Sequence, residues 1–124
     1  MRGFGRVLCC MAATAGLLTA GIAAGQAAGA FAVGTCGAYG YAYDFVQPEA
    51  AHNAAREQCS GDCKVIPVRK ACAAFAIDGG NACGAFGYAT APRLGAAQNT
   101  ALRQCHEFGG RECVIRAWIC DGKG

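Results

Sequence analysis

Residues Cys36-Gly37-Ala38-Tyr39-Gly40-Tyr41-Ala42 return as Cys83-Gly84-Ala85-Phe86-Gly87-Tyr88-Ala89, with Tyr changed once to Phe. Ala30-Phe31-Ala32-Val33 stands before the first copy, and Ala74-Phe75-Ala76-Ile77 before the second. After each copy comes an Ala-rich segment ending in Cys, then a second Cys opening a Val/Ile-rich segment that closes on a third. The pattern reads as one supersecondary unit written twice within a small domain, with halves at about 31–72 and 73–120.

Each copy alternates small with large residues. In a strand this puts Tyr39, Tyr41 and Tyr43 on one face and Ala38, Gly40 and Ala42 on the other. Gly34-Thr35 supplies the turn from Ala30–Val33, which makes a hairpin. Pro48 suits the first turn of a helix and Glu49 its positive end. Ala51, Ala55 and Cys59 then recur four residues apart, as do Ala97, Ala101 and Cys105 after Pro92. A stripe of alanines lets the helix backbone lie close to what it covers, whereas Arg56, Glu57, Arg103 and Gln104 fall off the stripe and face water.

Gly61-Asp62 turns the chain into a β-branched strand from Cys63 to Lys70, where Pro67 removes a ladder donor and marks an edge or a bulge. Ala71–Ile77 either continues that strand, bent near Cys72, or opens another. Asp78-Gly79-Gly80-Asn81 turns it back through Gly84–Thr90. Phe108-Gly109-Gly110 ends the second helix, and Cys113–Cys120 is the last strand, with Trp118 as a core anchor. Strand, strand, helix, strand, written twice, predicts an α+β fold: a mainly antiparallel sheet with both helices packed on it in two layers, stapled by disulfides.

The first thirty residues read as a leader. Arg2 and Arg6 precede an apolar Ala/Gly/Leu run from Val7 to about Ala24, and Ala28-Gly29-Ala30 offers a small-x-small cut. The run is diluted by glycine and lacks a basic stop-transfer flank, which disfavours a membrane anchor. Cleavage is expected after Ala30, with Gly25 as the alternative. It leaves the 94 residues of 31–124 as a single domain outside the cytoplasm, periplasmic or extracellular, with no membrane span. Without Arg2 and Arg6 there are nine basic residues against eight acidic, a net charge near +1. That balance argues against nucleic acid as a partner.

Eight cysteines remain: Cys36, Cys59, Cys63, Cys72, Cys83, Cys105, Cys113 and Cys120. A dense, even set in a short exported chain is a disulfide framework. Zinc is the rival, but no Cys-x-x-Cys knuckle occurs in this set, and the two histidines hold unrelated places in the two halves. Neither metal nor cofactor is expected. On the order of a hundred connectivities are possible. Pseudo-symmetry favours Cys59–Cys63 and Cys105–Cys113 as clips from helix end to strand, with Cys36–Cys83 and Cys72–Cys120 linking the halves. The alternative keeps each bond in its half, pairing Cys36 with Cys72 and Cys83 with Cys120.

For chemistry there is little to choose from. The mature chain has one serine, Ser60, in a turn between cysteines, and no Gly-x-Ser-x-Gly. His52 and His106 read as surface groups on helices. Asp44, Glu49, Asp62 and Asp78, the carboxylates a glycosidase would need, each read as turn, cap or surface charge. No catalytic residue is assigned. The aromatic stripe Tyr39, Tyr41, Tyr43, with Phe86 and Tyr88 in the second half, is the candidate binding surface, and packing within the fold is its commoner alternative. A non-enzymatic module that binds an unidentified protein or envelope component is the leading expectation. A small hydrolase, or an inhibitor that neutralises a toxin, is the alternative.

These residues resemble a bacterial family, domain of unknown function (DUF) family 4189. The resemblance is carried by the two Gly-Ala-Tyr/Phe-Gly-Tyr cores, the Ala-rich segments ending at Cys59 and Cys105, Cys63-Lys64-Val65-Ile66, Ala71-Cys72-Ala73-Ala74 and Val114–Cys120. It covers nearly the whole mature chain and implies a small exported bacterial protein rich in cysteine. It implies no activity. Cys36 and Cys83, directly before the glycine motif, depart from the family pattern.

Overall fold

The computed structural model describes residues 28–121, and the expected leader, apart from its last three residues, lies outside them. Two halves share one element order. The first runs β1 (Ala28–Val33), β2 (Tyr39–Phe45), α1 (Pro48–Gln58) and β3 (Lys64–Val68). The second runs β4 (Ala71–Asp78), β5 (Phe86–Ala91), α2 (Leu94–Glu107) and β6 (Cys113–Asp121). The α+β class, the antiparallel pairing and the disulfide staples are as the sequence predicts.

The strands form two sheets rather than one, in the orders β2-β1-β3 and β5-β4-β6. The chain crosses between them at Arg69 and Lys70, and Lys70 takes a φ of 50° to make the turn. Segment 71–77 is therefore a strand of its own, and the expected junction after Cys72 falls inside β4. Ala28, Gly29 and Ala30, expected to leave with the leader, open β1, where Ala28 pairs with Phe45 and Gly29 with Val68.

Two sheets arise because the central strands are apolar on both faces. Phe31, Val33, Phe75, Ile77, Val68 and Ile119 interdigitate between the sheets. On the opposite faces Ala30, Ala32 and Ala42 meet Ala51 and Ala55 of α1 and Cys59 just past its end, while Cys72, Ala74 and Ala76 meet Ala97, Ala101 and Cys105 of α2. The stack is thus four layers deep, helix-sheet-sheet-helix, with the large side chains at its centre. Strands covered on both sides read as continuous apolar runs, as β1 and β4 do.

The glycine of each repeated motif sets the outer spacing. A Cβ on Gly40 would collide with the carbonyl oxygen of Ala55, and one on Gly87 with that of Ala101. The helices lie so close that only hydrogen fits beneath them.

Of the two connectivities set out above, the first is present. Cys59–Cys63 and Cys105–Cys113 clip each helix end to the next strand. Cys36–Cys83 joins the β1–β2 turn to the β4–β5 loop and so ties the sheets together. Cys72–Cys120 does not link the halves, since β4 and β6 are neighbours in the second sheet.

Candidate functional site

β2 and β6 are the edge strands that face each other where the two sheets diverge, and a cleft of about 720 Å³ opens between them. Tyr39, Tyr41 and Tyr43 form one wall. Their rings stack nearly parallel, 6.3 Å apart at 11° and then 6.2 Å apart at 3°. That spacing is close to the two-residue repeat of a strand, about 6.6 Å. Tyr39 packs on the core through Phe31, but Tyr41 and Tyr43 extend past the second sheet and are 39% and 50% exposed.

The opposite wall is Ile115–Cys120 of β6, with Gln98 of α2 beside it. Register places a bulge here: Ile115 is opposite Ala76 and Ala117 opposite Phe75, so Arg116 is the extra residue. A bulge re-aims its side chain. Arg116 turns toward β2, its guanidinium 5.2 Å from the centre of the Tyr39 ring, and its Nε donates to the Gly37 carbonyl at 3.0 Å. Guanidinium over an aromatic face is a favourable pairing. Among the described residues Arg116 is the one charged side chain lining the cleft.

Trp118, expected as a core anchor, is 50% exposed. It lies opposite Ala74 on the helix-facing side of an edge strand, and α2 packs mainly over β4 and β5, which leaves that margin open. Gln104, expected to face water, accepts a hydrogen bond from the Tyr88 N–H at 3.1 Å. Gln58 does the same for β2 and more. Its Oε1 accepts from the Tyr41 N–H at 3.2 Å and its Nε2 donates to the Tyr41 carbonyl at 2.8 Å. The tyrosine wall is thereby held to the end of α1.

Phe86 and Tyr88 do not join that wall. They stack on each other along β5, at the far edge of the second sheet, with Phe86 edge-on to Phe75 at 6.0 Å. The histidines sit on different helices. His52 borders a recess of about 250 Å³ with Glu49, Pro67 and Arg69, and His106 Nδ1 donates to the Gly110 carbonyl at 3.1 Å. Asp44, Glu49 and Asp78 stand near the ends of three different elements, and Asp62 lies in the turn before β3. Asp78 closes a turn: it accepts from Gly80 N–H at 2.9 Å and Arg111 N–H at 3.4 Å. These bonds, the Gly80 one foremost, hold its carboxyl below the ordinary value of 3.8. Among the described residues no group of three His, Cys, Asp or Glu side chains could hold a metal, and no helix is long and apolar enough to cross a membrane.

Sequence reasoning missed Arg116 and misassigned Trp118. The available signal was a lone charge inside the apolar run Cys113–Cys120.

The model of a family described as "Domain of unknown function (DUF4189)" matches residues 28–120. No curated protein and no solved structure matches the chain.

Proposed function

The chain belongs to the DUF4189 family of domains of unknown function, and from that premise we propose that it is an exported binding module whose site is the tyrosine-walled cleft. The observation that carries this reading is the exposure of Tyr41 and Tyr43 in a stacked row beside a cleft. Aromatic rings held in a stacked row by a stapled scaffold lose little freedom on binding, and they bury large apolar area when covered. Four disulfides are consistent with an oxidising compartment. The same unit duplicated and fused accounts for the shared element order of the halves.

The start of β1 at Ala28 bears on export as well. A cut after Ala30 would remove three buried, paired strand residues, so the upstream cut at Gly25 is the better fit. Mass spectrometry of the exported protein is expected to find an N-terminus at or before Ala28.

The binding reading is tested by capture from a cell-envelope extract on the oxidised protein and on its Y41S/Y43S variant. The variant is expected to keep its melting behaviour and lose the captured species. Equal capture by both, or a hydrolytic activity abolished by replacing His52 or His106, would overturn it.

A further inference from the structure

We propose that the free edge of β6 receives an extended polypeptide segment bearing an acidic side chain, which joins the second sheet as a further strand with its carboxylate against Arg116. The inference rests on the binding reading above and names the partner's chemistry at the same cleft.

It follows from comparing the four sheet edges. The Tyr41 N–H and carbonyl bond to Gln58, so they point away from β1, and that edge is capped at its middle. The Tyr88 N–H bonds to Gln104, which caps a donor at the middle of β5. Because Phe31 lies opposite Tyr41, its own groups turn toward β3 and engage Ile66. Pro67, the next residue, therefore falls where a free donor would face outward, and it has none. Three edges are blunted as exposed edges usually are.

β6 is not. Phe75 lies opposite Tyr88, so its groups turn toward Ala117, and alternation leaves the N–H and carbonyl groups of Trp118 and Cys120 pointing outward. Among the described residues nothing pairs with them. Six consecutive residues, Ile115–Cys120, line the cleft. Successive side chains point to opposite faces, so what all six present in common is the backbone edge. An added strand would lie along it, with alternate side chains over the tyrosine rings, which repeat at nearly strand pitch. Charge complementarity selects the occupant, because among the described residues Arg116 is the cleft's only charge. It also disfavours a second copy, whose β6 would offer Arg116 another guanidinium and, as its one carboxylate, the buried Asp121.

The test pans a displayed random decapeptide library on the oxidised full domain, then measures selected peptides through Trp118 fluorescence and amide exchange. Peptides with a shared acidic position are expected, with slowed exchange of the Trp118 and Cys120 amides. Backbone N-methylation at alternate residues, or Glu-to-Lys exchange in the peptide, should weaken binding roughly tenfold. R116E should reverse the Glu/Lys preference, and R116Q should erase it. Since the peptide alone changes in the methylation arm, misfolding of a variant cannot imitate that result. N-methylated peptides that bind equally well would overturn the proposal, as would unprotected Trp118 and Cys120 amides at saturation. If no peptide binds at millimolar concentration while capture from the envelope extract stays sensitive to Y41S/Y43S, edge addition falls and the binding reading stands. Protection of those amides without peptide, together with a concentration-dependent dimer in sedimentation, would hand the edge to a second copy and overturn the proposal too.

Discussion

Gly40 and Gly87 have ordinary strand conformations, yet neither position admits a side chain. The atoms a Cβ would meet are the backbone carbonyls of Ala55 and Ala101, which cannot rotate away as a flexible side chain could. G87A is therefore expected to push α2 off the second sheet and destabilise the protein by about 1–3 kcal/mol or more. Denaturant unfolding of the oxidised variant measures it, and a loss under half a kilocalorie would mean the helix can shift freely. Asp78 gives a second prediction at this scale. Its folded carboxyl titrates lower than in the unfolded chain, so the turn it closes is fully stabilised above pH 3.8 and loses that support as pH falls through the depressed value. The Gly80 amide resonance, which reports its hydrogen bond to Asp78, should titrate with a midpoint below 3.8. A midpoint at or above 3.8 would show that the clamp does not persist in solution.

Among the elements, edge strands separate structure from function. Gln58 and Gln104 stand at matching places near the ends of the two helices and cap the edges of β2 at Tyr41 and β5 at Tyr88. Sequence periodicity sorted such residues only by their distance from the alanine stripe, and a long amide off the stripe looks like a solvated one. Whether it reaches back over a strand edge depends on how closely the helix lies on the sheet, and the glycines set that distance. Q58A removes a reciprocal pair of bonds at an exposed edge, so a cost of about 1 kcal/mol is expected. The larger effect should be faster hydrogen exchange at the Tyr41 amide, with the Tyr88 amide unchanged. Trp118 illustrates the opposite error. Its strand was legible, but not which strand would be central, and an aromatic on an edge strand is covered only where a helix extends over it.

At the scale of the molecule, stability is divided between a core of modest side chains and four covalent ties. Cys36–Cys83 and Cys72–Cys120 span 47 and 48 residues, against 4 and 8 for Cys59–Cys63 and Cys105–Cys113. Loop-closure entropy then assigns each long tie about 4 kcal/mol and the shortest about 2. The C36A/C83A variant is expected to lose about twice the stability that C59A/C63A loses, and full reduction to unfold or loosen the domain. Chemical denaturation orders the two variants, and a far-UV spectrum and melting point unmoved by strong reductant would refute the dependence on disulfides.

The alternation of small and large residues determined, without any coordinates, that each half is strand, strand, helix, strand and that the helices approach on alanine and glycine, while pseudo-symmetry narrowed the cysteines to two sets of pairings. Those features are local, or follow from a pattern stated twice. Tertiary structure alone decided that β1 and β4 each become the centre of a separate sheet, that the two large-residue faces close on each other, and that the tyrosine wall stands exposed beside the outer edge of β6. A strand's own residues specify which face is apolar, but not which neighbour will cover it; that choice belongs to the packing of the whole chain.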